Sequence, residues 1–322
     1  MSFATDVKDD LARVISQKRC CRQAEVAAFL RLSGCLSISS KMSVSLTVKT
    51  QHAGIARKIL GMIKDIYKLK TEMTVYRRNN LQKGQVYALR IVPQGGMKQL
   101  LTVLGVTDKS AAWQTSFPGP LNPQIAAKTC CSRAYLRGAF ISAGSINDPG
   151  GEYHLEISCN DLQQALFIKS LMAKFDIIGK IIRRKQHYLV YLKEGDQIID
   201  FLTVIGSYRS LLEFENIRIV KDVRNQVNRV VNCENANLNR TIKASIKQVE
   251  DINLIKTEIG LDKLPRPLQE AAQLRLENPQ SSLSELANLA SLSKSAINHR
   301  LRRLNEIADN IRDYGAKYWQ KK

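Results

Sequence analysis

Near the C-terminus, Lys294, Ser295, Asn298, His299, Arg302 and Arg303 recur at a spacing that collects them on one side of a helix. Those residue types suit one kind of chemistry. Asparagine and arginine read base edges through paired hydrogen bonds, and lysine and arginine hold phosphates. His299 has no nucleophile or carboxylate pair beside it, so it is expected to face phosphate or solvent rather than to catalyse. A second set consists of two adjacent thiol pairs, Cys20-Cys21 and Cys130-Cys131. They lack the C-x-x-C spacing of metal sites and have no neighbouring histidine, so they are expected to be small buried helix residues, with no metal and no cofactor bound.

The basic stretch needs a scaffold, and the sequence around it supplies one. Leu268, Ala271, Ala272 and Leu276 mark a helix that stops at Asn278-Pro279. Ser282 and Glu285 have the S-x-x-E spacing of a capping box, and Leu283, Leu286, Ala287 and Ala290 form the apolar side of the helix it opens. After the turn Ser291-Leu292-Ser293, a second helix from Lys294 to about Ile311 buries Ile297, Leu301, Leu304 and Ala308. The arrangement is a helix-turn-helix, with Ser293, Lys294, Ser295, Asn298, His299, Arg300, Arg302 and Arg303 as the candidates for DNA contact. Two features depart from the usual pattern. Ser291 occupies a turn position where glycine is common, and Arg300 precedes Leu301 where an apolar residue is usual, as if the turn were longer by one residue. The alternative is a structural three-helix cap.

Composition is compatible with a polyanionic partner. The 322 residues include 49 Lys and Arg against 29 Asp and Glu, a net charge of +20 spread along the chain. The N-terminus MSFATDVKDDLARVI carries acids where a secretory signal would be cationic and then apolar, and no apolar run reaches the ~20 residues of a membrane helix. A cytoplasmic, nucleoid-associated location with no membrane partner is expected. Seven cysteines, an odd number, fit a reducing compartment.

A duplication organises the rest. CCRQAEVAAFLRLSG at Cys20 to Gly34 and CCSRAYLRGAFISAG at Cys130 to Gly144 align without a gap at an offset of 110 residues. The order helix, strand, strand, helix, strand, strand, helix follows each. LTVLG at Leu101 to Gly105 and LTVIG at Leu202 to Gly206 close the two copies at an offset of 101, so nine residues are lost between, with the Arg77 to Gln85 hairpin and helix ends as the expected sites of loss. An amphipathic helix over residues 5–16, with Val7, Leu11, Val14 and Ile15 buried, precedes the first copy. Turns are expected at Ser39 to Met42 and Gln82 to Gly84, and a proline-rich connector at Trp113 to Pro123. Each copy exposes an apolar helix face that it cannot bury alone, which predicts pairing about a pseudo-twofold axis. From Tyr208 to Gly260 the chain is helical, with Leu211, Leu212, Ile217, Val220, Val223, Val227 and Val230 as a buried stripe. The polar run Asn232 to Asn239 is expected to interrupt it, as a domain boundary or a capped helix junction.

LRGAFISAG at Leu136 to Gly144 resembles the LAGLIDADG motif of homing endonucleases, and VAAFLRLSG at Val26 to Gly34 resembles a second copy. NCENANLNRT and SKSAINHRLRRLNEIA resemble the WhiA family of bacterial regulators, and the likeness covers essentially the whole chain. It implies an α+β fold: a duplicated αββαββα domain with pseudo-twofold symmetry, the copies at residues 1–108 and 109–222, followed by an all-α domain at 223–322 with the helix-turn-helix at about 282–312. In the endonucleases an acid before the final motif glycine binds the cleaving cations. Ser33 and Ala143 stand there in this chain. The nearest acid, Asp148, has Ile38 as its counterpart, so no symmetric carboxylate pair replaces them, and loss of cleavage is expected. The resemblance further implies a double-stranded DNA-binding protein tied to sporulation-gene transcription, cell division and chromosome segregation, with protein partners docking on the duplicated domain, or an architectural nucleoid protein acting through such partners. The sheet strands of the endonucleases straddle DNA. Arg77, Arg78 and Arg90 in the first copy and Lys180, Arg183, Arg184, Lys185 and His187 in the second are the matching candidates for a secondary nucleic-acid contact; the alternative for these strands is a protein-facing or purely structural sheet face.

Overall fold

The computed structural model describes residues 2–38, 44–77, 85–92, 96–105 and 122–315. The chain divides into two compact units, residues 1–222 and 223–322. Arg78, both expected hairpin turns and residues 113–121 of the connector lie outside the described residues.

In the first unit, Ser2 caps α1 (Phe3–Arg13), its hydroxyl accepting from the Thr5 amide, and Phe3, Val7 and Leu11 bury one face. Val14 and Ile15, expected on that face, lie beyond the helix end, and Ile15 is exposed. The first copy is then α2 (Arg19–Ser33), β1 (Gly34–Ile38), β2 (Val44–Thr50), α3 (Ala53–Tyr67), β3 (Thr71–Arg77), β4 (Gln85–Ile91) and α4 (Met97–Val103). The second is α5 (Thr129–Ala143), β5 (Gly144–Ile146), β6 (Leu155–Cys159), α6 (Leu162–Ala173), β7 (Lys180–Arg184), β8 (His187–Leu192) and α7 (Gly195–Ile205). Each copy makes one antiparallel sheet of the same topology, β1-β2-β4-β3 and β5-β6-β8-β7. The α3 stripe Ile55, Ile59, Ile63 and Ile66 is buried as its spacing predicts, each side chain contributing about 1.5–3 kcal/mol.

Strand register locates the lost residues. Glu72 pairs with Arg90 as Lys180 pairs with Tyr191, but 18 residues separate the first pair and 11 the second. Seven of the nine are therefore lost in this hairpin. In the second copy the turn shrinks to Lys185 and Gln186 between the paired residues Arg184 and His187, with Lys185 left-handed at φ 55°.

The two motif helices α2 and α5 pack side by side, starting together and ending together. Gly138 permits their closest approach, because a β-carbon there would collide with the Glu25 backbone and the Ala28 side chain. Buried among them is an ion cluster: the Glu25 carboxylate lies 2.5 Å from Lys58 Nζ and 3.2 Å from Arg137 Nε, all three almost fully buried. Lys58 also donates to the Leu11 carbonyl at 2.8 Å, and Arg137 donates to Ile205 O at 3.0 Å and to Ser16 Oγ at 2.8 Å. Burial holds the Lys58 ammonium below its usual pKa, against the pull of Glu25. Arg31 on α2 donates to Leu104 O, the counterpart of Ile205, so a motif-helix arginine closes the terminal helix of each copy from a different helix position.

α8 (Tyr208–Glu258) departs from the expected course. It runs unbroken through Asn232 to Asn239. No proline or glycine lies between Gly206 and Gly260, and Cys-Glu-Asn-Ala-Asn-Leu-Asn costs only tenths of a kcal/mol per residue in a helix. The stripe expected to be buried is also largely exposed: Leu212, Val220, Val223, Val227 and Val230 are each more than half accessible, and only the start of the helix, at Leu211 and Phe214, joins the first unit's core.

The second unit buries Ile252, Ile255 and Ile259 of α8 against α9 (Arg266–Glu277), α10 (Leu283–Leu289) and α11 (Lys294–Tyr314). Its core is Ala271, Ala272, Leu286, Ala287, Ile297, Leu301, Leu304, Ile307, Ala308 and Ile311. Arg275 is buried there, and its guanidinium closes the loop before α10 by donating to Ser281 O at 2.6 Å. Asp251, fully buried, pairs with Arg312 and holds that guanidinium above its ordinary pKa.

Candidate nucleic-acid interface

In the α10–turn–α11 unit each helix is fixed at its N-terminus by a side-chain cap. Ser282 accepts from Glu285 N at 3.3 Å while the Glu285 carboxylate accepts from Ser282 N at 2.7 Å, a complete capping box. Residues 290–293 connect the helices. Leu292 N donates to Ala287 O at 2.9 Å and Ser291 N to Asn288 O at 3.1 Å, the Schellman closure of a helix end. Ser291 occupies the left-handed position of this motif, at φ 52°, which explains why glycine is common there. Ser293 then caps α11, its hydroxyl accepting from Ala296 N at 3.1 Å.

Because Ile297, Leu301, Leu304 and Ala308 point into the core, α11 turns Ser295, His299 and Arg302 directly away from it, with Asn298 and Arg303 on either flank. Lys294, Ser295, Asn298, His299, Arg302 and Arg303 are all exposed. Arg302 and Arg303 share Glu306, at 3.6 Å and 2.8 Å, in open solvent, where such pairs hold side chains by less than about 1 kcal/mol and release them readily to a phosphate. Arg300 differs: it is half-buried on the α9 side, 3.7 Å from Glu270, and does not share the exposed face. Ser293 likewise spends its hydroxyl on the cap. A groove lined by Arg240, Thr241, Ser245, Arg275, Ser282 and Lys294 adds Arg240 beside the start of α11. Sequence spacing gives no sign of this neighbour, which comes from α8, more than 50 residues before Lys294.

In the first unit the candidate cations of each ribbon separate by face. Lys180 and Arg184 alternate with Arg183 along β7, so Arg183 lies on the other side of the sheet, with Ile181. Arg90 faces away from Leu89 and Ile91, cross-strand from Glu72; Arg77, on the neighbouring strand, is on the opposite face from Arg90. Arg77, Arg90, Lys180, Arg183, Arg184 and Lys185 are all exposed.

At the ends of the motif helices, Ser33 and Ala143 present no carboxylate. Ser33 and Ser142 both donate to Phe29 O, at 2.9 and 3.1 Å, while Asn160 and Gln164 of the second copy donate to the Arg31 carbonyl at 3.4 and 3.3 Å. These hydroxyl and amide groups satisfy the carbonyl end of α2. They offer no anionic oxygen pair for a divalent cation.

Three family models match the chain: the WhiA N-terminal LAGLIDADG-like domain over residues 19–107, the WhiA LAGLIDADG-like domain over 132–224 and the WhiA C-terminal HTH domain over 227–308. Relatives named "Probable cell division protein WhiA" include that of Heliobacterium modesticaldum, 44% identical over 96% of both chains, and that of Bacillus cytotoxicus, 42% identical over 97% of this chain and 98% of its own. Among solved structures, full-length DUF199/WhiA from Thermatoga maritima matches with a TM-score of 0.58 at 25% identity, covering 96% of this chain and 99% of that one. Among the described residues, no helix is long and apolar enough to cross a membrane. A duplicated LAGLIDADG-like unit followed by a helical HTH unit, matched along nearly its whole length, establishes that the chain belongs to the WhiA family.

Proposed function

We propose that this chain is a double-stranded DNA-binding regulator of bacterial cell division, without nuclease activity, in which α11 reads base edges and the duplicated unit adds sequence-independent affinity or a docking surface for a protein partner. The observation that carries this reading is the exposed face of α11, capped at its start by Ser293, with Lys294, Ser295, Asn298, His299, Arg302 and Arg303. Ser293 and Arg300 act indirectly, the first by fixing the start of the helix and the second by bracing it against α9. Arg240 adds a cation at the groove edge. Arg90, Lys180 and Arg184 on one face of their respective sheets, with Lys185 at the turn, supply a weaker contact, and Arg77 and Arg183 on the opposite face add long-range positive charge. Sporulation-gene transcription and chromosome segregation, in a cytoplasmic, nucleoid-associated setting, are the processes this role would serve.

Replacing Arg302 and Arg303 with alanine should weaken binding at every site and lower the salt slope of log K by about 2, close to one counterion per lost phosphate contact. Unchanged affinity and slope would remove α11 from the interface. A second reading, an architectural protein with little sequence choice, rests on the exposed cations of both sheets. Chromosome-wide occupancy separates the two: sharp promoter-proximal sites support the regulator, and broad coverage without transcriptional change supports the architectural role. Magnesium-dependent nicking that depends on Asp148 would overturn the absence of nuclease activity.

A further inference from the structure

Four thiols that take no part in the DNA-facing surface converge where the motif helices begin. Cys20 and Cys21 lie in the first turn of α2, Cys130 and Cys131 in the first turn of α5, and all four Sγ atoms fall within 4.8 Å of one another. Cys21 and Cys131 are buried, while Cys20 and Cys130 are half-buried and leave the cluster open to an ion from solvent. We propose that these four cysteines form a mononuclear tetrathiolate site for a soft divalent cation, zinc in the first instance, on the axis between the two copies.

The dimensions fit one ion. Zn–S bonds of about 2.3 Å place the sulfurs of a tetrahedral site about 3.8 Å apart, so each pair closes by no more than about 1 Å on binding. An iron–sulfur cluster interposes several irons and sulfides between its thiolates and needs them spread more widely. Donor chemistry points the same way, since an all-thiolate set selects soft cations over magnesium or calcium.

Electrostatics also favour the site. Zinc displaces four thiol protons to solvent and leaves a complex of net charge −2. Both helices begin at a lysine, Lys18 and Lys128, with no side-chain cap and no acid in the first turn. Two uncompensated positive helix ends therefore face the complex, where an anion is stabilised. Neither copy alone holds more than two ligands, and the pairs are adjacent residues 110 positions apart, which is why no local motif announces the site. With four protein ligands the centre is closed and structural. It would pin α2 to α5 about 20 Å from the ends that carry Ser33 and Ala143, at 1.5 Å of rise per residue.

The test uses the full-length protein, purified with reductant and without chelator. Metal analysis should find one equivalent of zinc per chain. Cobalt added to the zinc-stripped protein should produce the intense visible ligand-field and thiolate charge-transfer bands of a tetrahedral sulfur site. Cys20→Ser and Cys130→Ser should each weaken zinc binding by at least about 100-fold, because loss of a ligand costs no less than loss of its supporting shell. Cys35→Ser and Cys233→Ser, at exposed positions, should bind as the parent does. Should the cysteine variants fail to fold, the cobalt titration of the parent protein decides by itself. A reduced protein that shows no cobalt bands and no stoichiometric zinc overturns the proposal. So does a disulfide between α2 and α5 in protein alkylated at lysis.

Discussion

Two glycines within helices make opposite predictions for the same added methyl group. Gly138 lies in α5 at its crossing with α2, where a β-carbon would sit 3.0 Å from the Glu25 carbonyl carbon, 3.1 Å from Ala28 Cβ and closer still to the Glu25 carbonyl oxygen. Carbon atoms rest at about 3.5–4.0 Å, and the obstruction is backbone, so no rotamer change relieves it; the helices must part by about 0.5–1 Å. Overpacking of this kind costs about 1–3 kcal/mol, at the upper end here because the parting also stretches Glu25 from Arg137. Removing a helical glycine returns about 1 kcal/mol, leaving Gly138→Ala destabilised by about 2 kcal/mol. Gly61 lies in α3 with nothing within 4 Å of its missing β-carbon. Gly61→Ala should therefore stabilise by up to about 1 kcal/mol. Amide hydrogen exchange of the α2, α3 and α5 segments, followed peptide by peptide, measures both changes within the first unit. A Gly138→Ala protein as protected as the parent along α2 and α5 would refute the close approach of the two helices.

Other expectations follow from the same geometry. Glu25→Ala leaves Lys58 and Arg137 buried without their counterion, and thermal unfolding should show the first unit destabilised by about 3–5 kcal/mol. Ser293→Ala should cost about 1 kcal/mol of second-unit stability through the lost cap; Ser293→Asp keeps the cap, so its circular dichroism melt should match the parent, while the added negative charge lowers DNA affinity in a titration. Ser282→Ala, which removes half of the capping box, should lower the second unit's stability by about 1 kcal/mol in a denaturant titration.

The duplication, the element order of both copies, the capping box and the exposed polar face of α11 are all legible in the residues. Those features are local: the alternation of a strand, the 3.6-residue period of a helix and a Ser-x-x-Glu spacing are each written within a few turns of chain. The same locality misled at α8. There the apolar spacing of Val220, Val223, Val227 and Val230 marks a face that no packed element covers among the described residues, and the asparagines of 232–239, without proline or glycine, do not interrupt the helix. Arg300 shows the limit on a smaller scale, since only the position of Glu270 on α9 decides that it braces the helix. Tertiary structure alone decided which groups meet across 30 or more residues: Glu25 with Lys58 and Arg137, Arg240 beside Lys294, and Cys20 and Cys21 with Cys130 and Cys131. Periodicity records that a side chain turns inward. Its partner is set by how two surfaces dock, and for the motif helices α2 and α5 that depends on the close approach which Gly138, lacking a side chain, allows.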